Sequence, residues 1–268
     1  MDKLDYIIPT WNSAATLPIT LKSIEKYGNP NQIIVVDRNS DDETIAIAKS
    51  FGCKIIESTK PLGAARRIGA KNAETELIAF VDSDVELSIE WKGMIKCAAK
   101  KEYKDAGVIG GYYKSSYLTN MDHPIALIGG TGAFGCCITY TDLIIEYEEL
   151  DKFSSAEDSA YAKFLEKRNL KWYIMPVPLV HHQDLTSIQG ISRWRWMGAG
   201  LRMRDGFSIW NIKRILGGAI FGIRISNLDI SYVQNFKLRW NYFEGYMLYK
   251  KYYELDRGIP PKKSVKFF

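Results

Sequence analysis

The run Ile33-Ile34-Val35-Val36 carries no polar residue on either of its alternating faces. Side chains of a strand point alternately to opposite sides, so a wholly apolar, β-branched run predicts a strand covered on both. Short apolar runs recur at residues 6–9, 54–56 and 77–81, and the gaps hold helical patterns at 14–27, 42–51 and 63–73. In the first of these, Leu17, Leu21 and Ile24 keep the helical repeat, and Ser13 is placed to cap it; Gly52 stops the second. Strand and helix alternating at this spacing predict parallel βαβ units in an open α/β sheet flanked by helices. Such sheets bind ligands beyond the carboxyl ends of their strands. That rule gathers residues 9–12, 37–42 and 82–84 into one crevice.

The rest of the chain is more mixed. Residues 108–113, 136–140 and 172–175 read as strands and 157–169 as a helix, with Pro176 and Pro178 marking the exit from the last strand. Residues 201–253 hold nine basic and three acidic side chains, net +6, and are dense in aromatics. The whole chain is +5, so the other residues sum to −1. So mild a total does not point to nucleic acid. Hydrophobic residues at 46% and charged residues at 25% exclude a disordered or fibrous chain. Cys53, Cys97, Cys136 and Cys137 form no CxxC pair and read as reduced thiols of an intracellular protein. The first residues lead straight into a strand, without the pattern of a signal peptide. The longest apolar or glycine run, 216–223, is far short of the roughly 20 residues of a spanning helix.

Two constellations carry chemistry. Asp82-Ser83-Asp84 directly follows an apolar strand, which brings two carboxylates to one strand end. Such a pair suits Mg²⁺ or Mn²⁺, above all when substrate phosphates supply further oxygens; an ordinary D-x-D turn is the plain alternative. Asp37 also ends a buried strand. Its carboxylate faces the crevice rim, where it accepts from a base or ribose, or else the turn around it merely caps the next helix through Ser40 or Asp41. A third stretch, Gly130-Thr131-Gly132-Ala133-Phe134-Gly135, matches G-x-G-x-x-G but precedes a strand rather than a helix. It is therefore a close-packed turn and no dinucleotide fingerprint.

Four segments in order, Ile7-Ile8-Pro9-Thr10-Trp11-Asn12, Ile34-Val35-Val36-Asp37 with Asn39-Ser40-Asp41-Asp42, Gly63-Ala64-Ala65-Arg66-Arg67, and Phe80-Val81-Asp82-Ser83-Asp84, resemble the nucleotide-sugar half of a family 2 glycosyltransferase. The likeness covers about the first 90 residues, continues loosely through Glu157-Asp158 to His181-His182, and fades after Gly200. It implies an inverting enzyme of GT-A fold: a Rossmann-like, mixed but mostly parallel sheet flanked by helices, with a helical, basic and aromatic C-terminal extension. Residues 1–200 would form the glycosyltransferase domain, 1–113 its nucleotide-sugar half and 114–200 its acceptor half, with 201–268 as the extension.

The resemblance implies roles residue by residue. Pro9, Thr10, Trp11 and Asn12 would wall the base, with Asp37 accepting from it and Asn39 in the same turn. Arg66 would face the nucleotide, Asp82 the ribose, and Ser83 the same wall. Asp84 would hold Mn²⁺ or Mg²⁺ on the diphosphate, with His181 or His182 as a further ligand. Asp158 would be the general base, with Glu157 beside it as its catalytic partner. Arg193 and Arg195 would close on the diphosphate; Gln189 stands one residue too far from Arg193-Trp194 for the Q-x-x-R-W motif of processive members. The donor would be a UDP- or GDP-sugar, and the acceptor a glycan hydroxyl or a polyprenyl-phosphate-type lipid. The place would be cytoplasmic, with residues 201–253 either peripheral on an anionic membrane face or a helical cap packed on the catalytic domain or on a second subunit. The rival readings are a sugar-1-phosphate nucleotidyltransferase and a non-catalytic nucleotide-sugar-binding protein. The first needs a glycine-rich, basic loop after its first strand, and Pro9-Thr10-Trp11-Asn12-Ser13 is neither.

Overall fold

A computed structural model describes residues 3–115, 133–181, 188–220 and 231–253. The chain parts into two compact units. The first holds Met1–Lys60, Ala64–Asp151 and Asp158–Gln183; the second holds Pro61–Gly63, Lys152–Glu157 and Asp184–Phe268.

The elements run β1 (Leu4–Thr10), α1 (Leu17–Tyr27), β2 (Pro30–Asp37), α2 (Thr44–Ser50), β3 (Lys54–Glu57), α3 (Leu62–Lys71), β4 (Leu77–Val81), β5 (Val85–Glu86), α4 (Trp91–Ala99), β6 (Ala106–Ser115), β7 (Cys136–Tyr140), α5 (Thr141–Glu146), a 3-10 turn (Glu148–Lys152), α6 (Glu157–Glu166) and β8 (Lys171–His181). One sheet results, ordered β3-β2-β1-β4-β7-β6-β8-β5. The first four strands are parallel, β7 joins antiparallel to β4 and β6, and β8 returns parallel to β6. The mostly parallel, mixed α/β sheet expected from the sequence is present.

The strand alternation explains the two cores. Tyr6, Ile8, Val35, Ala79 and Val81 face Leu17, Leu21 and Ile24 of α1, Ala48 of α2 and Trp91, Met94 and Ile95 of α4. Ile7, Ile34, Val36, Ile78 and Phe80 face the other way, onto Ala65 and Ala70, Ile144, Tyr161 and Leu165. With both faces covered, every side chain of Ile33–Val36 is buried.

Some boundaries differ from the sequence reading. Helix α1 starts at Leu17, not at residue 14, because Pro18 fixes the first turn and the Ser13 hydroxyl is spent elsewhere. Asp42, and not Ser40 or Asp41, accepts from the Thr44 N–H at the head of α2. Gly52, at φ +67°, ends that helix as expected. Strand β8 runs through Pro176 and Pro178 to His181 instead of stopping before them. The prolines are tolerated because the register against β6 shifts between Gly110 and Tyr112, and β5 covers the other edge only at Val180 and His181.

The second unit is helical, with α7 (Ile188–Asp205), α8 (Ile209–Ile220), α9 (Tyr232–Met247) and the short α10 (Tyr249–Tyr252). Helix α7 runs across position 200 and lies wholly in this unit. Trp194, Leu201, Ile215, Leu238 and Tyr246 form its small core. Ser231 and Gln234 close a capping box at the start of α9. Helices α7 and α9 cross backbone to backbone: a methyl group on Gly198 would overlap the Tyr242 carbonyl, and one on Gly245 the Arg195 carbonyl. Among the described residues no helix is long and apolar enough to cross a membrane.

Gly245→Ala is therefore expected to destabilise the protein by about 1–3 kcal/mol through overpacking. Gly93→Ala, where a methyl meets nothing within 4 Å, should instead stabilise it by about 0.5–1 kcal/mol. Thermal unfolding midpoints of the two variants, moving in opposite directions, check both.

Candidate nucleotide and catalytic site

The carboxyl ends of β1, β2 and β4 meet at a set of loops joined by short hydrogen bonds. Asp37 closes β2 and is 0% exposed. Its Oδ1 accepts from the Thr10 hydroxyl at 2.7 Å and the Ser40 hydroxyl at 2.6 Å, and its Oδ2 from the Ser40 N–H at 2.8 Å. The Ser40 hydroxyl in turn accepts from the Asn12 N–H at 2.8 Å, and the Asn12 side-chain oxygen accepts from the Asp41 N–H at 2.9 Å. Asn12 and Asn39 both take left-handed backbone, φ +49° and +50°, which asparagine tolerates better than most residues. Asp42 accepts from the Ala14 N–H and from the Thr44 hydroxyl and N–H, and Thr44 accepts from the Ser13 N–H at 2.7 Å. Desolvation raises the Asp42 pKa, yet these donors outweigh it and hold the carboxyl below its usual range. Arg38 lies over the Trp11 ring, 6.0 Å from its centre, and Pro9 and Trp11 are half-buried.

This loop set reaches the D-x-D turn. The Ser13 and Ser83 hydroxyls are 2.9 Å apart, and both side chains are buried. Asp82, partly exposed, accepts from Arg66 Nη2 at 2.8 Å. Arg66 is 1% exposed and sits 5.4 Å from the ring centres of both Phe80 and Phe134. The Asp82 N–H donates to the Gly135 carbonyl at 3.0 Å. Phe134 and Gly135 thus put the end of the G-x-G-x-x-G stretch, read from the sequence only as a close-packed turn, against the D-x-D turn. Asp84 is buried at the same strand end.

Asp158 shares this neighbourhood. The Cys137 thiol, on β7 in register with Phe80, is pushed well above its ordinary pKa, first by burial. Arg66 pulls it down, while Asp82 and Asp158 push it up. The charges of Arg66, Asp82 and Asp158 all bear on this one thiol. Asp158 Oδ1 accepts from the Ser159 N–H at 2.6 Å and the Ser159 hydroxyl at 3.2 Å. Glu157 differs from its neighbour. It is buried in the second unit, where its charge bears on the phenol of Tyr253. Ala156, at φ +62°, precedes the pair.

The remaining candidates are placed as follows. His181 ends β8, its backbone in register with Val85, the residue after Asp84, and with Ser115. His182 lies outside the described residues. Arg195 Nε donates to Glu244 at 2.8 Å within the second unit, and Glu244 also accepts from Tyr252. Arg193 is half-buried on the same helix, α7. Among the described residues no three His, Cys, Asp or Glu side chains form a closed cation cage. A divalent cation here would need an open donor set, such as the Asp84 carboxylate buried at its strand end. That fits an ion completed by phosphate oxygens.

The sequence reading missed the Thr10–Asp37–Ser40 node, the Ser13–Ser83 link and the aromatic clasp on Arg66. Polar hydroxyls at positions 10, 13, 40, 44 and 83, all at predicted strand ends or turns, were the available signal.

The fold is that of GT-A glycosyltransferases. It matches a Pyrobaculum calidifontis mannosyltransferase solved with GDP-Man and Mn²⁺ at a TM-score of 0.58 and 15% identity, over 90% of this chain and 73% of that one. It also matches residues 1–349 of Staphylococcus aureus TarS in complex with UDP-GlcNAc, with a TM-score of 0.52 at 18% identity, over 93% and 92% of the two chains. Residues 5–151 match the profile of glycosyl transferase family 2, and the chain belongs to that family. A 4,4'-diaponeurosporenoate glycosyltransferase of Staphylococcus haemolyticus is 29% identical over 120 residues, 41% of this chain but only 32% of that protein's length.

Two outcomes follow. Asp37→Ala should cost about 1–3 kcal/mol for each buried donor left unsatisfied, with Asp37→Asn intermediate, as read from denaturant midpoints. Burial also pushes the Cys53 and Cys97 thiols up to about 11 and that of Cys137 well above its ordinary value. Since the thiolate is the nucleophile, iodoacetamide at mildly alkaline pH should label these three slowly in the native protein and readily after unfolding. Mass spectrometry along a pH series reads it, and the native rate should climb as pH approaches about 11.

Proposed function

We propose that the chain is a metal-dependent inverting glycosyltransferase that moves a sugar from a UDP- or GDP-linked donor to a glycan hydroxyl or a polyprenyl-phosphate-type lipid. The observation that carries this reading is the hydrogen-bonded set of loops at the carboxyl ends of β1, β2 and β4, in which Thr10 meets Asp37, Ser13 meets Ser83, and Arg66 pairs with Asp82 of the D-x-D turn. Family membership supports it, as do the sugar nucleotides bound by the two structural neighbours. It also disfavours the nucleotidyltransferase.

The donor lies against Pro9, Thr10, Trp11 and Asn12. Asp37 serves this wall from behind, since its oxygens already hold Thr10 and Ser40. Asn39 and Ser83 complete the wall, and Asp82 meets the ribose. Asp84 and His181 hold Mn²⁺ or Mg²⁺, which neutralises charge gathering on the departing diphosphate when bound. Arg66 adds fixed positive charge and holds Asp82 in place. Asp158 takes the proton from the acceptor as its oxygen attacks the anomeric carbon from the face opposite the leaving group. The Ser159 donors orient its carboxylate for this. Of the two arginines that the family resemblance assigned to the diphosphate, Arg195 is already engaged by Glu244.

Titration calorimetry with UDP and with GDP, in Mn²⁺ and again in EDTA, tests the donor and the metal. One nucleotide should bind, EDTA should weaken it, and Asp84→Ala should abolish the EDTA effect. Asp158→Asn should leave nucleotide binding intact and lower turnover by about a hundred- to ten-thousandfold. Intact binding with no nucleotide release from any sugar donor would favour the non-catalytic binding protein.

A further inference from the structure

Most of the large exposed apolar side chains described in the second unit lie on two helices; Phe207 and Leu248 flank them. On α9, Val233, Phe236, Trp240 and Met247 are exposed and keep the spacing of one helical stripe, with Phe243 half-buried among them and Tyr232 at its start. The opposite face, Asn235, Leu238, Arg239, Asn241, Gly245 and Tyr246, is buried. Helix α8 repeats the pattern. Ile215, Gly218 and Ala219 are buried, while Ile209, Trp210 and Ile220 are exposed, Trp210 at 75%. Stripes of this size on a protein surface mark a binding face.

The charge around them selects the partner. Lys213, Arg214 and Lys237 are exposed beside these residues, and Lys213 lies over the Trp210 ring at 5.1 Å. The acids of helices α7 to α10 are Asp205 and Glu244, and each already accepts from an arginine, Arg204 and Arg195. Among the described residues of these helices, the face therefore presents aromatics beside cations that neither acid pairs. Protein–protein interfaces are depleted in lysine. Aromatics that seat at the headgroup level, flanked by Lys and Arg, suit an anionic bilayer.

We infer that the exposed faces of α8 and α9 seat the protein on an anionic lipid surface. This inference does not depend on the sugar-transfer reading. The test is co-sedimentation of the full chain with phosphatidylglycerol–phosphatidylcholine vesicles and with pure phosphatidylcholine vesicles. At least about tenfold stronger partition to the anionic vesicles is expected, weakening with salt. Trp210→Glu with Trp240→Glu should remove most of it, and Lys213→Glu part of it. All three positions are exposed, so circular dichroism should show the fold retained. Equal, weak partition to both vesicle types overturns the inference. So does partition that the double variant leaves unchanged. Sedimentation velocity separates the remaining case: a dimer dispersed by the double variant, without vesicle binding, assigns the face to a second copy of the chain.

Discussion

Asp37 carries a carboxylate to the end of a strand whose preceding residues are all buried, and it is cut off from water itself. A buried carboxylate is costly unless donors replace its hydration. Among the described residues they come from the end of the neighbouring parallel strand, where Thr10 sits, and from the turn that follows, where Ser40 sits. Satisfying Asp37 therefore fixes the shape of both loops. Ser40 then fixes Asn12, Asp42 and Thr44 fix residues 13 and 14, and Ser13 reaches Ser83. The D-x-D turn is held by the same chain of bonds that begins at Asp37. The proposed wall for a nucleotide and the D-x-D strand end are thus joined by one set of hydrogen bonds, as a site must be if its charges are to stabilise a transition state without rearranging.

The sheet was legible because a strand buried on both faces leaves an unambiguous trace, as Ile33–Val36 does, and because parallel topology forces strand carboxyl ends together. Where the outcome depended on partners distant in sequence, the pattern failed. Pro176 and Pro178 read as a stop, yet whether a proline is tolerated depends on which strand edge is paired, and that is set by β5 and β6. Ser13 read as a cap, but Ser83, beside it only in the fold, claims its hydroxyl. Arg66 was placed at the nucleotide by likeness alone. Its seat between Phe80 and Phe134 rests on a residue from a stretch whose motif suggested something else.

Glu157 and Asp158 show the limit of reading adjacent residues as a pair. They are neighbours in the chain, but one charge bears on Tyr253 and the other on Cys137. Successive residues in the first turn of a helix project about 100° apart, so two adjacent acids there seldom share one site. An acidic first turn favoured by the helix dipole accounts for Glu157 without any catalytic duty. In the proposed reaction the proton-accepting role would fall to Asp158, whose carboxylate is held by the Ser159 donors.

The helical unit spends its aromatic residues unusually. Gly198 and Gly245 bring α7 and α9 into backbone contact, so the crossing is filled by main chain, and much of the bulk is left for the outer face. Trp240 and Phe236 stack on each other in the open, 6.2 Å apart, instead of filling a core. A stacked pair on a surface has little to gain from the fold it belongs to, and the desolvation it still offers is available to whatever covers it. A lipid surface would also confine the enzyme to the plane in which a lipid-phosphate acceptor moves, raising the effective concentration of that acceptor without any new contact at the catalytic carboxylates. Between a soluble glycan and a lipid phosphate, the outer face of α9 therefore weighs toward the lipid.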